Sequence, residues 1–240
     1  MTARYRALAA DYDDTLAERG VIASATAAAL AKLRRAGFQL ILVTGRVLPE
    51  LHEVAGDLSI FDRVVGENGA VLYRPETAEK AVLGPPPDIE FLDTLQQRGV
   101  RPLSVGDVIV ATGRRHEATI REAILELKRG LQVICNDDSV MVLPTGIDKM
   151  SGLQVALDEL ALSAHEVVGV GNAENDHAFL DQCGFPVAVA NAVTALKERA
   201  RLVTNANRGE GVVELAEMLL ETGGRLGTRT PDPFGVNEVL

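Results

Sequence analysis

The stretch Ala9-Ala10-Asp11-Tyr12-Asp13-Asp14-Thr15-Leu16 marks the point where a largely apolar run, which begins at Tyr5, ends in a group of carboxylates. A short apolar run near the start of a chain is typical of a buried strand, and α/β sheets bind ligands at the carboxyl ends of such strands. Crowded carboxylates raise one another's pKa unless a cation compensates, and their hard oxygens suit Mg²⁺. Asp11 is therefore a candidate nucleophile or metal ligand, and Asp13 is close enough to act on the same substrate. A solvated acidic turn would fit this stretch alone equally well, because Asp is common in turns.

The segments that follow alternate between helix and strand patterns. Ser24 is predicted to cap an Ala-rich helix that Gly37 ends. The other predicted elements, in chain order, are a strand at 38–43, a helix at 49–58, a strand at 62–66, a helix at 149–160, a strand at 166–170, a helix ending at 183, a strand at 186–190, a helix at 192–200 and a helix at 211–221. This alternation predicts an α/β fold built on a doubly wound parallel sheet.

The alternation breaks between the third strand and the helix that begins at Lys149. The segment Gly84-Pro85-Pro86-Pro87 interrupts the chain, and an α+β pattern follows it. Its predicted elements are helices at 89–97 and 117–128 and strands at 105–112, 131–136 and 140–143. We therefore predict a core made of residues 1–79 and 146–222, an inserted α+β module at residues 80–145, and a loose C-terminal tail at residues 223–240.

Composition limits the class of protein and its partners. The chain has 240 residues, 47% of them hydrophobic, which is enough for one large domain or for a domain with a smaller insertion. The net charge of −10 argues against nucleic acid or an anionic membrane as a partner. Cys135 and Cys183 lie in apolar surroundings without other metal ligands at metal-binding spacing, and no apolar run has the length of a signal or a membrane span. A cytoplasmic protein is expected.

Four motifs follow one another at strand ends or helix starts: Asp11-Tyr12-Asp13-Asp14-Thr15, Thr44-Gly45-Arg46, Lys149 and Gly171-Asn172-Ala173-Glu174-Asn175-Asp176. In this order, and with an insertion after the third strand, they resemble the haloacid dehalogenase (HAD) superfamily of phosphatases. The inserted module is similar to the small type-two cap of the Cof-like, subclass IIB enzymes, which include sugar-phosphate and phosphoglycolate phosphatases. The resemblance covers about residues 5–221 and implies a Rossmann-like core.

The resemblance also implies a role for each matching residue. Asp11 would attack phosphorus and form an aspartyl-phosphate, and Asp13 would protonate the leaving oxygen and then take a proton from water. Thr44 would hydrogen-bond the phosphoryl group, and Lys149 would neutralise its charge. The implied substrate-binding residues are Thr44, Gly45, Arg46, Lys149 and Asn175. The implied Mg²⁺ ligands are Asp11, Asp13, Asn172 and Asp176.

Asn172 departs from the family pattern, which usually has an acid at this position. An amide oxygen can bind Mg²⁺ but contributes no charge, so weaker binding of the cofactor is expected. The resemblance implies a Mg²⁺-dependent phosphomonoesterase for a sugar phosphate or a phosphoglycolate-like acid. A phosphomutase or phosphotransferase on the same scaffold, and a catalytically weak binding protein, remain alternatives. The expected partner is a small phosphorylated substrate, and the sequence leaves a homodimer possible.

Overall fold

The structure is a computed structural model that describes residues 4–136 and 138–226. Within these residues the strands are β1 (Ala7–Asp11), β2 (Ala17–Glu18), β3 (Val21–Ile22), β4 (Gln39–Val43), β5 (Arg63–Gly66), β6 (Val71–Arg74), β7 (Glu79–Val82), β8 (Ser104–Val105), β9 (Val110–Gly113), β10 (Leu131–Cys135), β11 (Ser139–Pro144), β12 (Val167–Gly171), β13 (Phe185–Ala188) and β14 (Leu202–Val203). The α-helices are α1 (Ser24–Arg35), α2 (Leu48–Ala55), α3 (Ile89–Gln97), α4 (Glu117–Leu127), α5 (Lys149–Glu159), α6 (His177–Leu180), α7 (Thr194–Arg199) and α8 (Arg208–Glu221).

The main sheet has eight strands in the order β14-β13-β12-β1-β4-β5-β6-β7. The strands from β14 to β5 are parallel, and the hairpin of β6 and β7 adds two antiparallel strands at one edge. Strand β1 lies in the middle, fully buried, with β4 on one side and β12 on the other. The prediction of a doubly wound α/β fold is confirmed, and β1 lies at the switch point where such sheets bind ligands.

The inserted α+β module, called the cap below, contains the elements from α3 to β11. Its four-stranded antiparallel sheet has the order β10-β11-β9-β8, and helices α3 and α4 pack against each other. The cap has a hydrophobic cluster of its own, which includes Phe91, Leu95, Ile120 and Val142. The sequence predicted one strand at residues 105–112, but the chain turns back within this range and forms β8 and β9.

The module boundary predicted at residue 80 falls inside β7. This strand pairs with β6 from Val71↔Val82 to Arg74↔Glu79, so the chain stays in the main sheet as far as Val82. We propose that the cap begins after this strand and ends before α5.

Several predicted helix ends differ from the structure. The N-cap of α1 is Ala23, with no side-chain hydrogen bond, and Ser24 is already helical. The helix predicted to end at Cys183 is the single turn of α6 after a 3-10 turn at Glu174–Asp176, and α8 begins at Arg208, before Gly211. These ends carry polar or small residues, whose pattern does not separate a capping position from a helical one.

The tail predicted to be loose from residue 223 is ordered at its start. The Tyr5 amide donates to the Gly224 carbonyl at 2.7 Å, and Leu226 is buried in the main core. Residues 227–240 of that predicted tail lie outside the described residues. None of the described helices has the length and apolar character needed to cross a membrane.

Candidate active site

The carboxyl ends of three neighbouring strands and the first turn of α5 bring the predicted motifs together. Asp11 ends β1, Thr44 follows β4, Asn172 follows β12, and Lys149 is the first residue of α5. Asp148 accepts from the Ser151 amide and caps α5, which fixes the position of Lys149. The convergence follows from the parallel sheet, in which carboxyl ends share one edge.

A buried ammonium joins two of the carboxylates. Lys149 Nζ donates to Asp11 Oδ1 at 2.5 Å and to Asp176 Oδ1 at 2.6 Å. The side chains of Lys149, Asp11 and Asp176 are 1%, 8% and 0% exposed. The other oxygen of Asp176 accepts from the backbone amides of Asn172 and Ala173 at 2.8 and 2.9 Å.

Both oxygens of Asp176 are therefore occupied by donors of the chain itself. The geometry gives this residue the task of holding Lys149 and the turn after β12. A direct bond from Asp176 to Mg²⁺ stays a prediction of the resemblance, for which Oδ1 keeps one lone pair.

The electrostatics of this trio favour an additional cation. Burial, followed by repulsion from Asp176, raises the pKa of Asp11 from 3.8 to about 7, although Lys149 opposes the shift. Burial acts to lower the pKa of Lys149, but Asp11 and Asp176 outweigh it and raise that pKa above its ordinary value. Two carboxylates share one ammonium, so a divalent ion next to Asp11 would favour its ionised form.

The free oxygen of Asp11 faces two further groups that fit Mg²⁺. The terminal amide of Asn172 is within 3.1 Å of both Asp11 Oδ2 and the Asp13 carbonyl oxygen, and within 2.9 Å of the Thr15 hydroxyl. A carboxylate, a backbone carbonyl and an amide are oxygen ligands of the kind that Mg²⁺ accepts together with waters. The described residues contain no cluster of three or more His, Cys, Asp or Glu side chains suited to a metal. The donor set instead combines Asp11, the main chain of Asp13 and Asn172.

The side chain of Asp13 points towards Arg46. Arg46 Nε and Nη2 each donate to one oxygen of Asp13 at 2.7 Å, and the guanidinium lies 5.7 Å from the Tyr12 ring centroid. A two-point ion pair of this kind fixes the carboxylate in orientation. Thr44 is buried, and its hydroxyl accepts from the Arg46 amide at 3.1 Å.

Asn175, which the resemblance implies as a substrate-binding residue, contacts the turn after β5 through its side chain. Its amide donates to Asn68 Oδ1 at 3.0 Å and so links the turn after β12 to the turn after β5. Asn175 also lines the cavity described next.

A cavity of about 720 Å³ lies between the core and the cap. The core supplies its charged end with Asp11, Asp13, Asp14 and Arg46, and it also supplies Glu50. The cap supplies mainly apolar and small polar residues. Those cap residues are Pro102, Leu103, Ser104, Ile109, Ala111, Thr112, Gly113, Asn136, Asp138, Ser139 and Met141. Gly45, Asn172 and Asn175 also line it, so the predicted phosphate site opens into a space large enough for a small metabolite.

Comparison with known proteins identifies the family. A model of the haloacid dehalogenase-like hydrolases matches residues 8–103 and 133–215, which is more than half of the chain. The chain belongs to this HAD family. The match includes all four motifs quoted from the sequence, and it omits residues 104–132, in which β8, β9 and α4 of the cap lie.

Curated HAD relatives match over most of their length. A phosphoglycolate phosphatase of Methanothermobacter thermautotrophicus is 32% identical over 219 residues, 87% of this chain and 96% of the relative. A phosphoglycolate phosphatase of Archaeoglobus fulgidus is 28% identical and covers 89% of this chain and 96% of the relative.

Solved HAD structures share the fold at lower identity. A haloacid dehalogenase-like hydrolase from Bacteroides thetaiotaomicron is 19% identical with a TM-score of 0.75, and it covers 90% of this chain and 100% of that chain. A HAD subclass IIB sugar phosphatase is 18% identical with a TM-score of 0.72, and it covers 91% of this chain and 99% of that chain. The core with an inserted α+β cap is therefore the HAD architecture.

Sequence reasoning missed one buried acid, Glu67. It follows β5 and is 1% exposed, and its carboxylate accepts from the amides of Asp107, Val108 and Ile109 at 2.8 to 3.0 Å. It thus joins the core to the turn between β8 and β9 of the cap. An acid at the end of a buried strand was the only signal, and it does not show which amides the acid contacts.

Proposed function

We propose that this protein is a Mg²⁺-dependent phosphomonoesterase that hydrolyses a small phosphorylated metabolite through a phosphorylated Asp11. The observation that carries the proposal is the buried Lys149 ammonium held between Asp11 and Asp176, at the floor of a metabolite-sized cavity. Phosphoryl transfer depends on positioning and charge stabilisation, and this arrangement provides both next to a carboxylate nucleophile.

In the first step Asp11 attacks phosphorus, and the bond from phosphorus to the alcohol oxygen breaks. Asp13 gives its proton to that oxygen, so the product leaves as an alcohol. In the second step Asp13 takes a proton from water, and the resulting hydroxide attacks the phosphorus and releases phosphate and Asp11. Each Asp13 oxygen accepts only one N–H from Arg46, so a lone pair remains on each for the proton.

Lys149 and Thr44 stabilise the transferring group. The ammonium neutralises charge on Asp11 and on the phosphoryl oxygens, and the Thr44 hydroxyl and the loop containing Gly45 fix the phosphoryl group at the end of β4. Asp11, the Asp13 carbonyl and Asn172 would hold Mg²⁺, which when bound offsets negative charge on the phosphate and on the nucleophile.

The charges that line the cavity favour an alcohol without a carboxylate. Beyond the phosphate site the core supplies Glu50 and the cap supplies Asp138, while Arg46 is the one cation that lines the cavity among the described residues and is matched by Asp13. A second anion on the substrate would meet like charges there. The two curated relatives described above are named as phosphoglycolate phosphatases, whereas we propose a neutral, hydroxyl-bearing alcohol, such as that of a sugar phosphate.

Release of phosphate from a substrate panel tests the function. The panel contains sugar phosphates, phosphoglycolate and an aryl phosphate, each measured across a Mg²⁺ titration. We expect Mg²⁺-dependent release that Asp11→Asn abolishes, because an amide is a poor nucleophile. Asp57→Asn, a change on the surface after α2, is the matched control and should keep full activity. Activity that persists in Asp11→Asn would contradict the mechanism.

A charge-removal variant tests the substrate class. In Glu50→Gln with Asp138→Asn, the ratio of kcat/KM for phosphoglycolate to kcat/KM for glycerol phosphate should rise about tenfold, since two nearby charges are removed. Glu53→Gln, on the exposed face of α2, should leave the ratio unchanged. A wild-type preference for phosphoglycolate would contradict the proposed substrate class without affecting the phosphatase assignment.

The same scaffold could transfer phosphate to a sugar hydroxyl instead of water. Asp13 would take a proton from either acceptor, so its presence is consistent with both reactions. Detection of a second sugar phosphate in the panel reactions would favour the phosphotransferase. The cytoplasmic location and the exclusion of nucleic acid and anionic membranes as partners remain predictions from the sequence, which leaves the oligomeric state open.

A further inference from the structure

Asn172 brings an amide to the position where Asp11 Oδ2 and the Asp13 carbonyl oxygen face each other. With its nitrogen turned inward, the amide donates to both oxygens at 3.1 Å and reaches the Thr15 hydroxyl at 2.9 Å. With its oxygen turned inward, it accepts only from the Thr15 hydroxyl, at 2.9 Å, and faces two further acceptors. The two orientations differ by half a rotation about the last side-chain bond.

The preferred orientation depends on whether a cation is present. Without a cation, an inward Asn172 oxygen would lie beside Asp11 Oδ2 and the Asp13 carbonyl oxygen. These acceptors would have no hydrogen-bond donor among them, and unpaired buried acceptors cost free energy. The inward nitrogen removes that cost, because its two hydrogens carry partial positive charge towards Asp11 and Asp13. With Mg²⁺ present the inward atom must be the oxygen, since an amide nitrogen has no lone pair to offer a metal.

We propose that Asn172 is a metal-responsive residue whose amide nitrogen takes the place of the cation in the metal-free protein and turns outward when Mg²⁺ binds. The proposal rests on the metal-dependent function above. Beyond that function, it requires Mg²⁺ to displace the hydrogen bonds that the Asn172 amide donates. An aspartate could not do this, because a carboxylate has no hydrogen to donate at neutral pH.

Two consequences follow for this chain. The metal-free site is internally satisfied, so the protein keeps its folded site when the metal is removed. Mg²⁺ must break two hydrogen bonds to charged or buried oxygens and gains one charge fewer than with an aspartate. We therefore expect occupancy to depend on the Mg²⁺ concentration, with affinity about 10- to 100-fold lower than in Asn172→Asp.

The first test observes the amide directly. In ¹⁵N-labelled, chelator-treated protein, the side-chain NH₂ resonances of Asn172, assigned by their absence in Asn172→Asp, should show protection from exchange with water. Saturation with diamagnetic Mg²⁺ should shift them and remove that protection. Resonances that stay unshifted and protected at saturation would overturn the proposal.

The second test compares metal affinity and stability without any measurement of turnover. Calorimetric titration with Mg²⁺ should give binding at least tenfold tighter for Asn172→Asp than for wild type. Urea unfolding in chelator should show the opposite order, with Asn172→Asp the less stable protein, and saturating Mg²⁺ should reduce or reverse the difference. Asn207→Asp, at the exposed N-cap of α8, makes the same chemical change away from the site. It should change the Mg²⁺ affinity by less than about twofold and leave the urea midpoint in chelator nearly unchanged.

Equal Mg²⁺ affinities, or equal stabilities in chelator, would overturn the proposal. If Asn172→Asp fails to fold in chelator, the Asn172 resonances are assigned by triple-resonance spectroscopy of the wild type, and the resonance test still decides. A protein that passes both tests but releases phosphate from no substrate would contradict the proposed function and leave this inference intact.

Discussion

At the scale of single residues, the buried Lys149 ammonium holds together two carboxylates that are almost fully removed from water. Removal of the ammonium would leave both Asp11 and Asp176 without their ionic partner. A buried charge that loses its partner destabilises a fold strongly, although part of the cost is avoided if one carboxyl takes up a proton.

Lys149→Met keeps the length of the side chain and removes its charge. The free energy of unfolding of the chelator-treated protein should fall by about 3 kcal/mol, and phosphate release should be lost. Urea unfolding measures the first effect and the substrate panel the second. Lys32→Met, at an exposed position of α1, provides the control. A loss of stability no larger than that of the control would contradict the role given to Lys149.

Cys183 gives a prediction that depends on pH. Burial raises the pKa of its thiol from 9.0 to about 12, so the folded protein holds this proton more tightly than the unfolded chain. The resulting stabilisation is present below the unfolded pKa and is lost as the pH rises towards the folded pKa.

The Cys135→Ser variant isolates the Cys183 thiol. A thiol-specific reagent should not modify the folded variant near pH 9, and it should react at once after urea is added, because only the thiolate attacks. Stoichiometric labelling of the folded variant at that pH would contradict the burial assigned to Cys183.

At the scale of elements, Glu67 connects the end of β5 to the β8–β9 turn of the cap. Its carboxylate accepts three backbone N–H groups, and a Cβ at Gly106 would lie 2.5 Å from the carboxylate. The Lys80–Asp107 ion pair at 2.6 Å connects the same turn to β7. The turn is therefore fixed to the core on two sides.

Glu67→Ala should free the amides of Asp107, Val108 and Ile109. We expect their hydrogen exchange to accelerate more than that of β11, and the free energy of unfolding to fall by about 2–4 kcal/mol, since hydrogen bonds to a charged acceptor are lost and donors are left buried. Hydrogen-exchange mass spectrometry and urea unfolding measure these effects, with Glu53→Gln as the control. Unchanged exchange in the turn would show that other contacts hold it.

The elements also show how far the sequence alone could lead. Buried strands such as β1, β4 and β12 leave continuous apolar runs, so their existence and order could be predicted. The turn within residues 105–112 was missed although Gly106-Asp107 is a turn signal, because the continuous apolar run at residues 108–111 dominates the segment. Helix ends such as Ala23 depend on backbone geometry that many residue types adopt.

The candidate site likewise contains residues whose proximity could be predicted from the sequence and contacts that could not. Asp11 and Thr44 could be predicted to meet because parallel strands end at one edge, whereas only the resemblance to the HAD superfamily placed Lys149, the first residue of α5, beside them. The three amides bound by Glu67 lie about 40 positions away along the chain, and the contact of Asn172 with Thr15 joins residues separated by 157 positions. Such pairs follow from the packing of the whole fold and leave no local pattern in the sequence.

At the scale of the whole molecule, residues 223–226 pack against Tyr5, just before β1. Gly224 has a positive φ of +79°, and a Cβ there would lie 2.6 Å from the Tyr5 carbonyl oxygen. Gly223 also has a positive φ, +58°, but a Cβ there would meet nothing within 4 Å. Alanine substitutions at these two glycines therefore distinguish the cost of backbone strain from the cost of steric overlap.

Gly223→Ala should cost about 1 kcal/mol of unfolding free energy through its backbone conformation alone. Gly224→Ala should cost about 1–3 kcal/mol more, because the new methyl group overlaps main-chain atoms. Urea unfolding of both variants tests this, and equal losses would contradict the close contact between this segment and Tyr5.

The most direct measurement of the whole account is the capture of the phosphorylated nucleophile. Asp13→Asn cannot supply the proton for hydrolysis, but an aryl phosphate has a leaving group that needs no proton, so the first step should proceed and the second should stall. Rapid-quench kinetics with Mg²⁺ should show a burst of one aryl alcohol per protein, and peptide mass analysis should find one phosphoryl group on Asp11. A burst with the phosphoryl group on another residue, or no burst from a variant whose wild type turns over the same ester, would contradict the central role of Asp11.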